Sequence, residues 1–313
     1  QGRGLRMQLD GLAFHVVRRR EFDHWLVDRV RDQGIAVHEN TEVLAVRRRP
    51  DGVEVTTSRG VFRARALVGA DGSKGRCRRL IAGDEGPVAR LLEVMIPPPH
   101  GPSAPPDDEA IFEFRHVPAG VQGYFWSFPM KIDGRPMRNL GIFDSRVRDA
   151  PLAGSLKRYL ELELEAHGVH LADCKIEGHP IHLYSPRSIL SAPHILLAGD
   201  AAGVDPLLGE GISPALGYGN LAARALLDAF ARDDFRFTDY TRRVAASPLG
   251  RSLRIRRLAA RLVYGVRSPL LHRLLWWHLR PLLRRFVGDH VFGWAKPGLP
   301  TPALRSQIPA SAA

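Results

Sequence analysis

The stretch from Ile195 to Arg224 places the strongest constraint on how this chain folds. Its apolar opening, residues 195–198, predicts a short buried strand, and a helix is predicted from about Ile212. The loop between them contains Pro206, Gly209 and Gly211. The first N–H groups of a helix lack internal acceptors and are partly positive, and glycines let a flat or anionic ligand approach them. Asp200, at the carboxyl end of the strand, can accept hydrogen bonds from ligand hydroxyls, as acidic residues do in nucleotide-binding folds.

The string GDAAG, followed by DP and then GEGI over residues 199–212, resembles the second flavin motif of the p-hydroxybenzoate hydroxylase-like FAD enzymes. Within that group it is most similar to the geranylgeranyl reductase family. The resemblance implies bound FAD, with Asp200 on the ribityl chain. It also implies a helix start that faces the flavin ring and stabilises negative charge at its pyrimidine end. The cofactor-binding residues implied here are Gly199, Asp200, Pro206, Gly209, Glu210, Gly211 and Ile212.

A segment near the start resembles the part of these flavoproteins that follows their first nucleotide unit. Residues 14–17 predict a strand, and apolar spacing predicts a helix over residues 21–32. Arg19 stands three residues before Phe22, the apolar opener of that helix. The resemblance implies that Arg19 contacts the pyrophosphate or ribityl region, which suits its fixed and always charged guanidinium. A solvated arginine is the alternative interpretation.

The run from residue 66 to residue 72 predicts another strand that ends in Asp-Gly. It resembles the first aspartate-glycine motif of the family, which implies that Asp71 and Gly72 lie near the flavin pyrophosphate. The family usually has a serine three residues after that glycine, where this chain has Gly75, and the later arginine of the motif matches Arg78. The alternative is a plain turn at the end of a strand.

One expected motif is missing from the sequence. The related enzymes begin with a βαβ unit carrying G-x-G-x-x-G, whose glycines bring the pyrophosphate against a helix N-terminus. No such unit precedes residue 14. We therefore expect that the chain lacks the part that holds the ADP half of FAD and is a truncated form of a longer protein.

The fold class predicted is α/β: a partial Rossmann-like FAD-binding domain, an inserted antiparallel-sheet substrate domain and a helical C-terminal tail. The predicted boundaries are 1–83 with 182–235 for the FAD-binding domain, 84–181 for the substrate domain, 236–296 for the basic helical region and 297–313 for a disordered tail. Strands are predicted at 37–39, 43–48, 91–96, 110–115, 123–129, 139–143 and 176–183, with hairpin turns at Asp51-Gly52 and Asp133-Gly134.

Aromatic residues alternate along the strand predicted at 123–129. Tyr124, Trp126 and Phe128 should point to one face, because side chains alternate across a strand. Periodicity alone fits either a packed core or the wall of a cavity. The Y-x-W-x-F-P string resembles the geranylgeranyl reductase motif that lines the prenyl-chain tunnel, which implies that Tyr124, Trp126, Phe128 and Pro129 bind substrate.

The positive charge is concentrated near the C-terminus. The net charge is +12, and residues 241–288 contain twelve arginines and no Asp or Glu. Leucines and tryptophans accompany these arginines on helical pieces broken by Pro269 and Pro281. This combination favours binding to an anionic membrane surface. A basic tail packed on the protein is the alternative, and nucleic acid is not an expected partner because no recognised module is present.

Several other classes of protein are disfavoured by composition. Cys77 and Cys174 cannot form a disulfide framework, no signal peptide is visible, and no apolar run is long enough to span a bilayer. We expect a cytoplasmic protein, peripheral to the inner face of the membrane. No metal is expected, because His179 and His182 have no cysteine or carboxylate at ligand spacing.

Together these features predict an FAD-dependent oxidoreductase that reduces C=C bonds in the prenyl chain of a lipid or quinone. NAD(P)H or reduced ferredoxin would supply the electrons, and Glu210 is the only candidate catalytic acid, although it could simply complement the helix start. The alternatives are an aromatic monooxygenase or halogenase on the same scaffold, and a truncated relative without catalytic activity. The oligomeric state and exact substrate are not predicted.

The missing first glycine motif generates a direct prediction. The purified chain should bind FAD poorly, since half of the cofactor would lack its pyrophosphate-binding helix. Fluorescence quenching during titration with FAD measures the affinity. Micromolar affinity would contradict the expected truncation.

Overall fold

The computed structural model describes residues 14–83, 88–99, 105–106 and 108–294; the tail predicted to be disordered, 297–313, lies outside these residues. The helices are α1 (Arg19–Asp32), α2 (Arg76–Ala82), α3 (Leu156–Ala166), α4 (Ile212–Arg232), α5 (Tyr240–Ala246), α6 (Pro248–Val263), α7 (Pro269–His278) and α8 (Arg280–Phe286). The strands are β1 (Val43–Arg49), β2 (Gly52–Thr57), β3 (Gly60–Ala64), β4 (Leu67–Gly69), β5 (Val88–Ile96), β6 (Ile111–Glu113), β7 (Gly123–Ile132), β8 (Arg135–Asp144), β9 (Glu177–His182), β10 (Ser191–Ala192) and β11 (Ile195–Leu197).

Among the described residues, two small sheets have three strands each. One is the antiparallel set β1-β2-β3, and the other has the order β10-β11-β4, in which β11 runs parallel to β4. The hairpin predicted at Asp51-Gly52 joins β1 to β2 and is confirmed. The strands predicted at 14–17 and 37–39 are wrong, because these short extended runs have no ladder partner. The α/β fold class is confirmed.

The main core lies between α4, α5 and the three-stranded sheet around β11. It is built from buried aliphatic and aromatic side chains, which include Leu196, Leu197, Tyr218, Tyr240 and Leu253. Helix α4 is amphipathic and buries Tyr218, Ala222, Ala225 and Ala229 against this core. The packing fixes the first turn of α4 close to the end of β11.

A five-stranded antiparallel sheet with the order β6-β7-β8-β5-β9 forms the second layer. Asp133 and Gly134 both have positive φ (50° and 77°), as a tight hairpin turn requires, and they join β7 to β8 as predicted. One face of the sheet packs against α3 through Phe125, Leu160 and Leu164. The opposite face packs against residues 204–208, which lead from β11 into α4.

The C-terminal helices differ in how deeply they pack. Helix α6 buries Leu249, Leu253, Arg256 and Ala260 against the rest of the protein, so it is an integral part of the fold. Helix α8 has no buried residue, and α7 and α8 together leave several apolar side chains exposed. Among the described residues, no helix is long and apolar enough to cross a membrane.

Candidate functional site

Asp200 lies on a tight turn at the end of β11, beside the first residue of α4. Gly199 adopts φ of 59°, which starts a single 3-10 turn over residues 199–201. A Cβ built on Gly211 would stand 3.3 Å from Asp200 Oδ1, so the half-buried carboxylate lies against the start of α4. The turn and the helix start predicted as separate parts of one motif therefore meet in space.

Arg19 lies within electrostatic reach of Asp200. Burial raises the pKa of Asp200, and the charge of Arg19 opposes that rise. The Arg19 guanidinium donates two hydrogen bonds of 3.0 Å to Asp23. This hydrogen bonding is the main cause that raises the pKa of Arg19. Asp200 adds a smaller contribution in the same direction. Helix α1 thus places a cation beside the candidate ligand-binding carboxylate.

Glu210 caps α4. Its Oε1 accepts hydrogen bonds from the Ser213 backbone N–H at 2.7 Å and the Ser213 hydroxyl at 3.1 Å. Burial raises the pKa of Glu210, and the bond from the Ser213 N–H opposes the rise. The carboxylate thereby satisfies one of the open donors of the helix start. The catalytic role predicted for Glu210 stays a prediction.

Two backbone donors at the same helix start have no partner. In the described part of the chain, the structure records no acceptor for the N–H groups of Gly211 and Ile212. Pro214 has no N–H, and the Ser213 N–H is held by Glu210. The helix start therefore presents two unpaired, partly positive donors next to Asp200, as an anion site requires.

The loop before α4 packs directly on the five-stranded sheet. Gly209 adopts φ of 70°, and a Cβ at this position would stand 2.8 Å from Cε2 of Phe143. The Tyr124 hydroxyl donates a hydrogen bond of 2.6 Å to the Leu208 carbonyl oxygen. Pro206 is buried in the same loop. No residue larger than glycine fits at position 209 without displacing the Phe143 ring.

Tyr124, Trp126 and Phe128 form one aromatic face on β7, as their spacing predicts. The ring centroids of Tyr124 and Trp126 are 6.1 Å apart, and those of Trp126 and Phe128 are 6.3 Å apart. Trp126 also donates a hydrogen bond of 2.6 Å to Asn139 Oδ1. Pro129 belongs to the opposite face by strand alternation in the unbroken β7–β8 register, so it is not brought to this wall.

The aromatic face is covered in this conformation. Tyr124 and Trp126 are only 5% and 7% exposed. Phe14 contacts Phe128 at a centroid distance of 5.6 Å. Two rings from the C-terminal region complete the cover: Phe292 stacks on Phe14 at 6.2 Å, and Trp276 lies 4.8 Å from Phe114. The face is therefore a packed core whose outer layer comes from both ends of the described chain.

Asp71 caps the short helix α2. Its Oδ2 accepts a hydrogen bond of 2.9 Å from the Cys77 N–H. Burial, with Asp71 as the second cause, raises the pKa of Cys77 to about 12. A Cβ on Gly75 would clash with the Asp71 carboxylate, which gives a physical reason for glycine at this position. Gly72 adopts φ of 81°.

Arg78 and His182 lie behind this cap. Arg78 is buried and donates a hydrogen bond of 3.3 Å to the Ala201 carbonyl oxygen, which ties α2 to the turn that carries Asp200. His182 is 4% exposed and its Nε2 has no hydrogen-bond partner. Burial, assisted by the charge of Arg78, lowers the pKa of His182 to about 4. The imidazole is therefore neutral at physiological pH.

The spacing argument against carboxylates near His179 is wrong. Glu93 and Glu177 are cross-strand partners on β5 and β9, and their ligand atoms lie within 4.8 Å of those of His179. Asn139 donates to Glu93 at 2.9 Å, and Lys175 pairs with Glu177 at 2.7 Å, so both carboxylates have protein partners. Glu177 stands two residues before His179 on the same face of β9, which the sequence shows, whereas Glu93 joins them only through the pairing of β5 with β9.

Sequence reasoning also missed a buried ion pair behind the loop. Arg256 Nη1 lies 2.7 Å from Asp205 Oδ2, and the two side chains are 2% and 0% exposed. Tyr264 donates a hydrogen bond to the Leu207 carbonyl oxygen. Arg256 stands among eleven other arginines of the basic segment, so nothing in the sequence distinguishes it.

Comparison with known proteins connects this geometry to a family. The FAD binding domain family matches residues 3–216. Digeranylgeranylglycerophospholipid reductase 2 of Methanopyrus kandleri is 32% identical over 241 residues, covering 70% of this chain and 57% of that protein. The chain spans 56–60% of the length of three curated relatives with this activity in their names. The resemblance to geranylgeranyl reductases is confirmed.

Solved structures show the same fold at low identity. A geranylgeranyl bacteriochlorophyll reductase-like protein from Thermoplasma acidophilum superposes with a TM-score of 0.67 at 20% identity, covering 93% of this chain and 75% of that one. The halogenase PltM in complex with phloroglucinol and FAD gives a TM-score of 0.59 at 14% identity, covering 92% and 66%. These likenesses establish the fold alone.

The buried His182 generates a pH prediction. Its folded-state pKa, about 4, lies below the ordinary value of 6.5, so the unfolded chain binds more protons between these values. Stability should therefore fall as the pH is lowered from 6.5 toward 4, by about 3 kcal/mol from this group. Urea unfolding at several pH values measures the slope. His182→Gln should flatten it, whereas His179→Gln, at an exposed position, should not; equal slopes for wild type and H182Q would contradict the assignment.

Proposed function

Because the chain belongs to the FAD binding domain family, we propose that it is an FAD-dependent oxidoreductase that reduces C=C bonds in the prenyl chain of a lipid or quinone. One observation carries the proposal. Asp200, the unpaired donors at the start of α4 and the aromatic face of β7 meet around a single loop, residues 204–211. That loop would place a flavin ring between anion-binding amides and an apolar sheet.

The residues present fit a flavin. The Asp200 carboxylate lies at the end of a strand, where it would accept hydrogen bonds from a ribityl chain, and the Gly211 and Ile212 amides suit the electron-rich edge of a ring. Arg19, within electrostatic reach of Asp200, would supply a cation for the pyrophosphate or ribityl region. Asp71 and Gly72 of the other turn are proposed for the same pyrophosphate region. When bound, reduced FAD supplies a hydride to one alkene carbon, and a proton completes the reduction.

The protein would contribute orientation, charge and exclusion of water. The Gly211 and Ile212 donors would stabilise negative charge at the ring edge, because they are fixed before the reaction and need no reorganisation. Glu210 is the proposed proton donor. Burial raises its pKa and so favours the protonated acid, although its Oε1 also caps α4. The aromatic face would align an apolar chain and keep water from the reacting carbons.

A prenyl lipid is the proposed substrate class, supported by the curated relatives, which are named digeranylgeranylglycerophospholipid reductases. NAD(P)H or reduced ferredoxin is the proposed electron donor. Since Tyr124 and Trp126 are nearly buried, a chain can reach them only if the cover of Phe14, Trp276 and Phe292 moves aside.

A second candidate function is oxygen-dependent aromatic hydroxylation or halogenation. It is favoured by the likeness of the fold to the halogenase PltM in complex with phloroglucinol and FAD. Consumption of NADPH and oxygen in the presence of small phenols distinguishes it, because alkene reduction consumes neither oxygen nor phenol.

Trp126 provides the test of the substrate wall. Trp126→Ala should lower turnover of a geranylgeranyl lipid by about tenfold or more while leaving FAD affinity within about twofold, because a lost aromatic contact is worth at least 1–2 kcal/mol. Turnover is measured as the amount of saturated lipid product, determined by mass spectrometry. Phe230→Ala, at a 53% exposed position near the end of α4, is the aromatic control and should leave turnover unchanged. Equal loss of turnover and FAD affinity in W126A would mean that Trp126 is a core residue with no role in substrate binding.

The membrane surface is the proposed site of action. Helices α7 and α8 expose Leu270, Leu271, Leu274, Trp277 and Leu282 at 49–69%. The same segment carries arginines and no acidic residue, and the Arg280 guanidinium lies 4.9 Å from the Trp277 ring centroid. Apolar side chains flanked by cations suit the headgroup level of an anionic bilayer.

Point substitution tests this surface without disturbing the packed α6. Leu270→Glu and Leu274→Glu together should reduce cosedimentation with anionic phosphatidylglycerol vesicles by about tenfold, since each places a charge against anionic lipid. Leu227→Glu, at a 70% exposed position on α4, is the control and should sediment like wild type. Equal sedimentation of all variants, or of wild type with zwitterionic vesicles, would contradict the proposal.

A further inference from the structure

Asp205 is the centre of the loop that would carry the flavin-ring edge. Its backbone N–H donates to the Glu210 carbonyl oxygen at 3.3 Å, and its own carbonyl oxygen accepts from Gly209 at 3.1 Å. Its Oδ1 accepts from the Leu207 N–H at 2.8 Å. Asp205 therefore sets the conformation of Gly209 and Glu210, the residues that lead into the unpaired donors at Gly211 and Ile212.

The remaining carboxylate oxygen of Asp205 is bonded to Arg256 of α6. Nη1 of Arg256 bonds to Asp205 Oδ2 at 2.7 Å, Nε to the His290 carbonyl oxygen at 2.9 Å, and Nη2 to the Val291 carbonyl oxygen at 3.0 Å. The guanidinium thus uses all three of its nitrogens and links the loop to α6 and to residues 290–291. A lysine could keep the charge but not this set of three bonds.

Burial makes the pairing obligatory. Asp205 is fully buried, and an isolated carboxylate there would carry a desolvation penalty that its partner charge offsets. Arg256 is 2% exposed, so it does not belong to the arginines that can meet an anionic surface. Arg256 lies in a strongly basic segment, but unlike the exposed arginines around it, it pairs with a buried carboxylate.

The ion pair also affects the charge behind the ring site. The carboxylate of Asp205 raises the pKa of Glu210 and the guanidinium of Arg256 lowers it, so the pair is within reach of the helix start. Without Arg256, an uncompensated negative charge would stand behind the donors that should stabilise an anionic reduced flavin.

We propose that Arg256 is a positioning residue for the flavin-ring edge, acting through Asp205 on the loop that ends at Gly211 and Ile212. The inference rests on the proposed function and adds a residue that no flavin motif contains. It assigns α6 to the flavin site, although α6 follows the last flavin motif by more than thirty residues.

Amide hydrogen exchange of the full chain tests the positioning without bound flavin. Arg256→Met should accelerate exchange of the hydrogen-bonded amides of Asp205, Leu207 and Gly209 at least tenfold relative to the β7–β8 amides, because the buried carboxylate loses its partner. Arg256→Lys should give a smaller acceleration. The double variant Asp205→Asn/Arg256→Met should exchange more slowly than R256M, since it leaves no unpaired charge. Arg254→Met, an exposed arginine on the same helix, is the charge-matched control and should match wild type.

Flavin measurements separate this inference from the proposed function. At saturating FAD, R256M should lower the flavin reduction potential and weaken flavin binding about tenfold, and the double variant should restore both in part. If wild type at saturating FAD reduces no prenyl lipid while R256M still opens the loop, the proposed function fails and the positioning stands. If R256M matches R254M in loop exchange, affinity and potential, or if loop and sheet amides accelerate together in R256M and in the double variant, the positioning is overturned.

Discussion

The parallel pairing of β4 with β11 is the constraint on which the rest of the site depends. In this register Leu197 lies opposite Gly69, so both strands end at the same edge of their sheet. The Asp-Gly turn at residues 71–72 and the Gly-Asp turn at residues 199–200 must then emerge side by side, although they are far apart in the chain. The hydrogen bond from Arg78 of α2 to the Ala201 carbonyl oxygen links the two turns directly. Ligand sites in open α/β sheets occupy this edge for the same geometric reason.

A second constraint acts on the loop that follows. The Gly211 and Ile212 amides stay available at the start of α4, so they do not help to hold the loop of residues 205–211 in shape. Other elements therefore hold the loop: the Tyr124 hydroxyl bonds to Leu208, the Tyr264 hydroxyl to Leu207 and the Arg256 guanidinium to Asp205. A loop whose last donors are left open needs further support from its side chains and carbonyl oxygens, and here the support comes from the sheet on one side and α6 on the other.

Local signals in the sequence predicted the elements that depend on local physics. The glycine-rich turn after β11, the hairpins at 51–52 and 133–134 and the aromatic alternation on β7 each follow from backbone preference or strand period. Long-range pairings escaped prediction. Glu93 meets Glu177 only because β5 and β9 are neighbours in the sheet, and Arg256 meets Asp205 only because α6 folds back on the loop. Nothing in the residue types marks these contacts, since a buried arginine and a solvated one look alike in a basic segment.

The C-terminal helices have an inward side that packs on the protein and an outward side that is exposed, and their charge does not distinguish the two. The inward side of this region holds Arg256 and Tyr264 against the loop, while Trp276 and Phe292 cover the aromatic face. The outward side presents leucines and arginines to the surroundings. Helix α6 is anchored by buried residues, whereas α8 has none. Phe292 of the cover follows residues 290–291, whose carbonyl oxygens accept hydrogen bonds from Arg256. An apolar chain that displaced Phe292 would therefore also act on the clamp, because the two residues before Phe292 are bonded to Arg256, which holds Asp205 and the loop.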